Sequence, residues 1–429
     1  MSNMKEIEVL IEKGILVGVN LQNESNFQYS MEELADLAEA LDVEVVGTIT
    51  QNLERVTPSH YVGTGKIEEI KSLYDETGAN LVIFNDELSP SQIRNLEHDL
   101  DCKVIDRTML ILDIFERRAK TSEAKLQVQL AQLQYMLPRL VGLHASLSRQ
   151  GGGTGGGFRN RGAGETKLEL DRRKIEDQIS KLKNELENIK DQRETQRKKR
   201  RKNQVPVVSL VGYTNAGKST IMNQLLFKMG QQESKHVFEK DMLFATLETS
   251  VRNIELNDNK SFLLTDTVGF VSKLPHHLVR AFRSTLEEAK DADLLLHVVD
   301  VSNEQYQFMM DITNQTLKEI GVVDVPTIYV YNKSDKADVT YPLISGNNIW
   351  LSAKEDVGLD ELIEMIRLRI FDDYIKCKML IPFDRGDIVS YLNQNASIIT
   401  TEYEENGTLI SLELKEADYK KFEQYAIIK

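Results

Sequence analysis

The chain has 429 residues, 41% of them apolar, which is enough for about three domains with cores of their own. It holds no run of about 18 apolar residues, and Met1-Ser2-Asn3-Met4-Lys5-Glu6 does not open a signal-peptide core, so neither a membrane span nor secretion is expected. A net charge of −14 excludes a uniformly basic nucleic-acid coat, yet from Arg117 to Lys202 there are 22 Lys and Arg against 10 Asp and Glu, which leaves −26 on the remainder. Cys102 and Cys377, far apart and without metal-ligand spacing, read as unpaired thiols of a reducing cytoplasm.

Residues 1–105 alternate between strand and helix patterns. Ile15–Val19, Val43–Val46, Leu81–Phe84 and Lys103–Ile105 read as strands. Met31–Leu41, Lys66–Leu73 and Ser91–Leu100 read as helices, so an N-terminal parallel α/β domain is expected. Val62-Gly63-Thr64-Gly65-Lys66 looks like half a phosphate loop, but it lacks the full glycine spacing and a Ser or Thr after the lysine. It reads as a turn entering a helix, with a second nucleotide site as the rival.

Residues 106–202 change character. Leu126, Leu130, Leu133 and Leu137 recur at helical spacing, as do Ile175, Ile179, Leu182, Leu186 and Ile189, which predicts a long antiparallel helical hairpin. Between the two runs, residues 149–164 form a glycine-rich tip with no fixed fold expected of it. A plain connector needs neither arginine nor phenylalanine, so Arg149, Phe158, Arg159 and Arg161 are candidates for RNA contact by charge and stacking. The second helix ends in Arg197-Lys198-Lys199-Arg200-Arg201-Lys202, six cations with no acid among them, a second RNA-binding candidate.

Residues 203–372 carry the chemistry. Val205–Val211 reads as a buried strand and Thr220–Leu226 as the first turns of a helix. Between them Gly212-Tyr213-Thr214-Asn215-Ala216-Gly217-Lys218-Ser219 fits G-x-x-x-x-G-K-[ST] and runs into Thr220. Glycines let backbone N–H groups fold around a phosphate, and the helix N-terminus adds its positive end. Lys218 can reach the outer phosphates, and the Ser219 hydroxyl can ligate Mg²⁺. In Phe244-Ala245-Thr246-Leu247-Glu248, Thr246 can supply a second hydroxyl to the metal. The strand Phe262–Thr265 ends in Asp266-Thr267-Val268-Gly269, where the aspartate can join the metal's outer shell and Gly269 can bring its N–H to a γ-phosphate. His297, inside the strand Leu294–Val299, reads as a packed side chain. The strand Thr327–Tyr331 leads into Asn332-Lys333-Ser334-Asp335, where the Asp335 carboxylate can accept from guanine N1–H and its 2-amino group. Adenine offers neither donor, so such a site can reject it by about 10⁴. Ser352-Ala353-Lys354 fits a further base-contacting loop.

Residues 373–429 read as a small C-terminal α+β domain. Helices are expected over Gly386–Leu392 and Ala417–Tyr425, and strands over Ser397–Tyr403 and Thr408–Leu414.

In this order the motifs resemble the translation-factor-type GTPases related to Obg and Era. With a glycine-rich segment and basic hairpin upstream, the chain is similar over essentially its whole length to the HflX family. The resemblance implies an N-terminal α/β domain, a helical hairpin, a P-loop GTPase domain and a small C-terminal domain. It also implies binding to the large ribosomal subunit through rRNA, in some members splitting or rescue of stalled or idle ribosomes, and in some members ATP binding through the N-terminal domain. The motifs themselves predict GTP as substrate with Mg²⁺ in a cytoplasmic protein, and nothing in the sequence demands more than a monomer. Phe270 stands where Ras-like enzymes carry the glutamine that orients the attacking water, so the catalytic residue is unassigned and slow hydrolysis, stimulated by a partner, is expected. Two rivals stay open: an ATP-dependent RNA remodeller working through the N-terminal domain, and a non-catalytic, GTP-dependent RNA-binding assembly module.

Overall fold

The computed structural model describes residues 12–22, 26–150, 161–202, 205–230, 244, 250–256, 258, 260–275, 278 and 288–428, with 141–150, 161–168, 196–202 and 428 by backbone alone. Its contacts divide into two compact units. The first takes in residues 1–196, 240–248 and 269–285, and the second takes in 197–239, 249–268 and 286–429.

In the first unit β1 (Glu12–Leu21), α1 (Phe27–Glu39), β2 (Val43–Leu53), α2 (Thr64–Thr77), β3 (Leu81–Phe84), α3 (Pro90–Leu100), β4 (Lys103–Asp106) and α4 (Arg107–Arg118) follow in strict alternation. All pairings are parallel, in the order β2-β1-β3-β4. β1 is a near-continuous apolar run because helices cover both its faces, and Ile15, Leu16 and Val17 are fully buried. Helix starts are fixed locally. Ser89 and Gln92 form a capping box with Pro90 in the first turn of α3, and the Asp106 carboxylate accepts from the Met109 amide to open α4.

Two long helices follow, α5 (Ser122–Gln150) and α6 (Arg161–Lys202). Leu130, Ile179 and Leu182 are buried between them, flanked by Leu126, Leu133, Leu137, Ile175 and Leu186. Glu123 at the start of α5 meets Arg193 near the end of α6 at 2.7 Å, so the pair is antiparallel. One expectation is corrected here. α6 already begins at Arg161, so Gly162 and Gly164 are helical although the glycine-rich stretch was expected to lack a fixed fold. Each glycine costs about 1 kcal/mol relative to alanine, and the long run of good helix formers behind them offsets it. Residues 151–160 lie outside the described residues. Arg139 anchors α5 to the sheet, donating to the Leu88 carbonyl at 3.0 Å and to Asp106 at 3.2 Å, with its guanidinium over the Tyr135 ring.

In the second unit β5 (Val207–Gly212), α7 (Lys218–Lys228), β6 (Ser250–Glu255), β7 (Ser261–Asp266), β8 (Leu294–Asp300), α8 (Tyr306–Glu319), β9 (Thr327–Asn332), β10 (Leu343–Ser345), β11 (Asn348–Trp350) and α9 (Leu359–Ile370) build a seven-stranded sheet in the order β10-β11-β9-β8-β5-β7-β6. Val208, Leu210, Leu264, Leu296, Ile328 and Val330 pack against Ile221, Leu225, Leu362 and Ile366. The parallel strands β7, β5, β8 and β9 all end on the edge that carries the motifs.

The chain closes with β12 (Tyr374–Ile381), α10 (Gly386–Asn395), β13 (Ser397–Glu404), β14 (Gly407–Lys415), α11 (Glu416–Phe422) and β15 (Ala426–Ile428), an antiparallel sheet ordered β13-β14-β12-β15. The expected final helix to Tyr425 ends as an α-helix at Phe422. β12 and β15 are additions, and β12 is the central strand on which β14 pairs along its whole length. Lys260, in the β6–β7 connection, is buried between Asp258 and Glu413, and Arg367 also reaches both acids. Among the described residues no helix is long and apolar enough to cross a membrane.

Candidate nucleotide site

The second unit brings four of the sequence motifs to one edge of its sheet. β5 runs into the glycine loop and α7 begins at Lys218. Two glycines are obligatory there. Gly212 has φ +144°, and a Cβ on it would stand 2.2 Å from the Val298 carbonyl oxygen of β8. Gly217 has φ +95°, and a Cβ there would stand 2.2 Å from the Asn332 side-chain nitrogen. Asn215, at φ +58°, completes the reversal.

Lys218 is buried, its ammonium donating to the carbonyls of Gly212 at 3.0 Å and Tyr213 at 2.7 Å across the mouth of the loop. Burial lowers its pKa to about 8, with Asp266 pulling the other way. A cation held this way has only backbone oxygens to give up when a stronger anion arrives. The Ser219 hydroxyl donates to the Asp266 carboxylate at 2.7 Å, so the two oxygens that Mg²⁺ chemistry would use are already adjacent. Asp266 is fully buried at the end of β7, and the Thr267 hydroxyl donates to the Leu210 carbonyl at 2.7 Å, fixing the turn out of that strand.

The Asn332 amide does two jobs. It donates to the Ala216 carbonyl at 3.0 Å and accepts from the Ala353 amide at 3.0 Å, tying the glycine loop to the Ser352–Lys354 loop. The Ser352 hydroxyl donates to Asp335 at 2.6 Å, which orients one carboxylate oxygen. Lys333 adopts φ +61° and pairs with Asp300 at 2.8 Å. Asp300, the last residue of β8, escaped the sequence reading; only its place at the end of the apolar run Leu294–Val299 signalled it. Tyr331 and Trp350 stack at 4.7 Å beside these loops. His297 packs against Tyr329, and burial, then Lys218, lowers its pKa to about 4, so it is a neutral core residue.

Gly269 and Phe270 belong to the first unit, where Phe270 is buried, as is Phe244, whose ring stands edge-on to Phe115 at 4.6 Å. Ala245, Thr246, Leu247 and Glu248 lie outside the described residues, and so do Phe158 and Arg159. Arg149 is on α5, and Arg161 and Arg197–Lys202 are on α6. At the partial motif Val62–Lys66, the Gly63 amide donates to Gln51 and Lys66 pairs with Glu69 at 2.7 Å, so groups that would cradle a phosphate are engaged within the domain.

Residues 28–116 match the family model described as GTP-binding GTPase N-terminal, 118–200 that of the GTP-binding GTPase Middle Region, and 207–333 that of the 50S ribosome-binding GTPase. The GTPase HflX of Lacrimispora saccharolytica is 44% identical over 414 residues, covering 96% of this chain and 95% of its own length. The chain belongs to the HflX GTPase family. It is a GTPase. The HflX of Escherichia coli strain K12 is 39% identical and covers 94% of this chain and 93% of itself. Among solved structures, a GTP-binding protein of Sulfolobus solfataricus in complex with GDP is 25% identical with a TM-score of 0.44, over 84% of this chain and 99% of its own.

Proposed function

We propose that this HflX GTPase binds GTP with Mg²⁺ at the edge formed by Gly212–Thr220, Asp266–Val268, Asn332–Asp335 and Ser352–Lys354, and that its GTP state docks on the large ribosomal subunit and splits or rescues stalled or idle ribosomes. Guanine choice rests on Asp335, whose carboxylate is oriented by Ser352 and meets the two N–H donors that adenine lacks. Lys218 exchanges two carbonyl oxygens for phosphate oxygens. Ser219 and Asp266 stand together where the metal is expected, with Thr246 as the further hydroxyl. Mg²⁺ held there would neutralise charge on the phosphates.

The observation that carries the partner is Phe270. A buried phenyl ring follows D-T-V-G where a water-orienting amide would be needed, so the protein lacks that aid to hydrolysis. A trans-acting group can contribute about 10³ to 10⁵ in rate. The excess of 9 positive charges over Ser122–Lys202, 19 Lys and Arg against 10 Asp and Glu on the α5–α6 hairpin and its connection, suits an rRNA surface, and the family description of residues 207–333 points the same way. Co-sedimentation tests the reading. With a non-hydrolysable GTP analogue the protein should pellet with purified large subunits and not with small ones, and GDP should release it. Equal pelleting with both subunits, or none, would contradict the proposal.

A further inference from the structure

The C-terminal sheet leaves one long edge open. β13 pairs with β14 alone, and among the described residues its outer edge meets no other strand. A register shift between Ile398 and Thr400 kinks its start, but Thr400–Glu404 then run in unbroken register with β14, a stretch of about 17 Å. Every residue from Ile399 to Glu404 is exposed, Tyr403 by 80%, whereas Ile410 and Leu412 of β14 are buried with Ile388, Leu392 and Tyr419. Isoleucine, threonine and tyrosine are strong strand formers, so the edge is held extended without a partner. Proteins guard such edges with lysine, proline or a covering element. Lysine and proline are missing here: from Gly386 to Leu414 the sequence has five Asp and Glu and no Lys, Arg or Pro.

Alternate residues of a strand share a face. Thr400, Glu402 and Glu404 therefore line one face of β13, and Thr401 and Tyr403 the other, with Glu405 in the turn that follows. The sheet's own lysines do not neutralise this edge. Lys376 and Lys378 stand on β12, beyond β14 and about 10 Å from β13, and Lys376 pairs with Glu413 at 3.5 Å. We propose that residues 400–404 are a docking edge for an extended, basic segment of a partner protein, which adds to the sheet as a fifth strand. Its main chain pairs with the free N–H and C=O groups of β13. Its alternate lysines or arginines meet Glu402 and Glu404, and the apolar residues between them cover Thr401 and Tyr403. Main-chain bonds supply affinity in such a complex, and the alternating side chains supply selection. The sign of the charge argues against RNA, whose phosphates would face three carboxylates. It also argues against a second copy of the chain, which would bring glutamates onto glutamates.

The test uses the full chain and a labelled, end-blocked peptide, Lys-Val-Lys-Val-Lys, followed by fluorescence anisotropy. A second peptide of the same sequence and charge, N-methylated at every residue, has no main-chain donors. The first peptide should bind saturably and slow amide hydrogen exchange at residues 400–404, and the methylated one should bind at least about tenfold more weakly. Glu402→Lys/Glu404→Lys, a change confined to exposed side chains, should cost the first peptide at least about tenfold in affinity while thermal melting and GTP affinity stay as in the parent chain. Absence of binding, equal affinity for the two peptides, or protection that falls outside β13 would overturn the proposal, and so would a dimer in sedimentation that the double variant abolishes. Neither nucleotide nor ribosome enters the peptide measurement, so its outcome is independent of the function proposed above.

Discussion

At the scale of single residues the site owes its selectivity to short side chains held by neighbours. Asp335 is oriented by Ser352, and Asp335→Asn replaces one of the two acceptor oxygens for guanine N1–H and the 2-amino group by an NH₂ donor while keeping the side chain's size. GTP affinity should fall at least about 100-fold and xanthosine triphosphate, which carries an oxygen at that position, should become the preferred ligand. Competition binding with both nucleotides checks this; an unchanged preference for GTP would remove Asp335 from the base site. Lys218 gives a pH signature. Without nucleotide its pKa is lowered to about 8 by burial, and a polyphosphate beside it favours the charged form and raises the pKa. Below about 8 the lysine is already protonated and affinity is flat. Above it binding takes up a proton, and affinity should fall by up to about tenfold per pH unit. Calorimetry at alkaline pH in two buffers of different ionisation heat should detect uptake approaching one proton, and no uptake would contradict the role given to Lys218.

At the scale of elements, the α5–α6 hairpin has separable tasks. Its seam of Leu130, Ile179 and Leu182 holds the helices together, and the basic run Arg197–Lys202 lies beyond those residues in the sequence. Replacing Arg197–Lys202 by glutamine should leave GTP affinity intact, weaken binding to large subunits and flatten its salt dependence, because each lost phosphate contact releases fewer counterions. Filter binding across a salt series measures the slope; a slope equal to that of the parent chain would remove this run from the interface. Elements were legible to the extent that their pattern was local. The N-terminal strands, the Val205–Val211 strand and the hairpin seam announce themselves by apolar runs or helical spacing. β12 did not, because Tyr374–Ile381 mixes lysines into its exposed face and is recognisable as a central strand only once β14 pairs with it. The helical start at Arg161 was hidden because Gly162 and Gly164 argue against helix locally and the good helix formers that carry them come later.

At the scale of the whole molecule, the distinction between local and distant signals decides what a sequence can say. The phosphate loop, Asp266–Gly269 and Asn332–Asp335 are contiguous motifs, and the structure brings the phosphate loop, Asp266–Val268, Asn332–Asp335 and Ser352–Lys354 to one sheet edge. A buried hydrogen-bond network of Glu33, Arg107 and Ser272 joins residues far apart in the chain, none of which stands out in its own neighbourhood. It becomes visible only when α1, α4 and the segment after Gly269 are seen together. Phe270 is the reverse case, plain in sequence as a missing glutamine and given its physical sense by burial, which removes the ring from any contact with water. A GTPase with Phe270 in place of the glutamine that orients water in Ras-like enzymes, and with a basic hairpin, should depend on an RNA-rich partner. The most direct measurement is multiple-turnover GTP hydrolysis with and without purified large subunits, at low and at high salt. The account predicts slow turnover alone, stimulation by large subunits of about 10³ or more, and loss of that stimulation as salt rises. Fast hydrolysis by the isolated protein, unchanged by subunits at either salt, would contradict it.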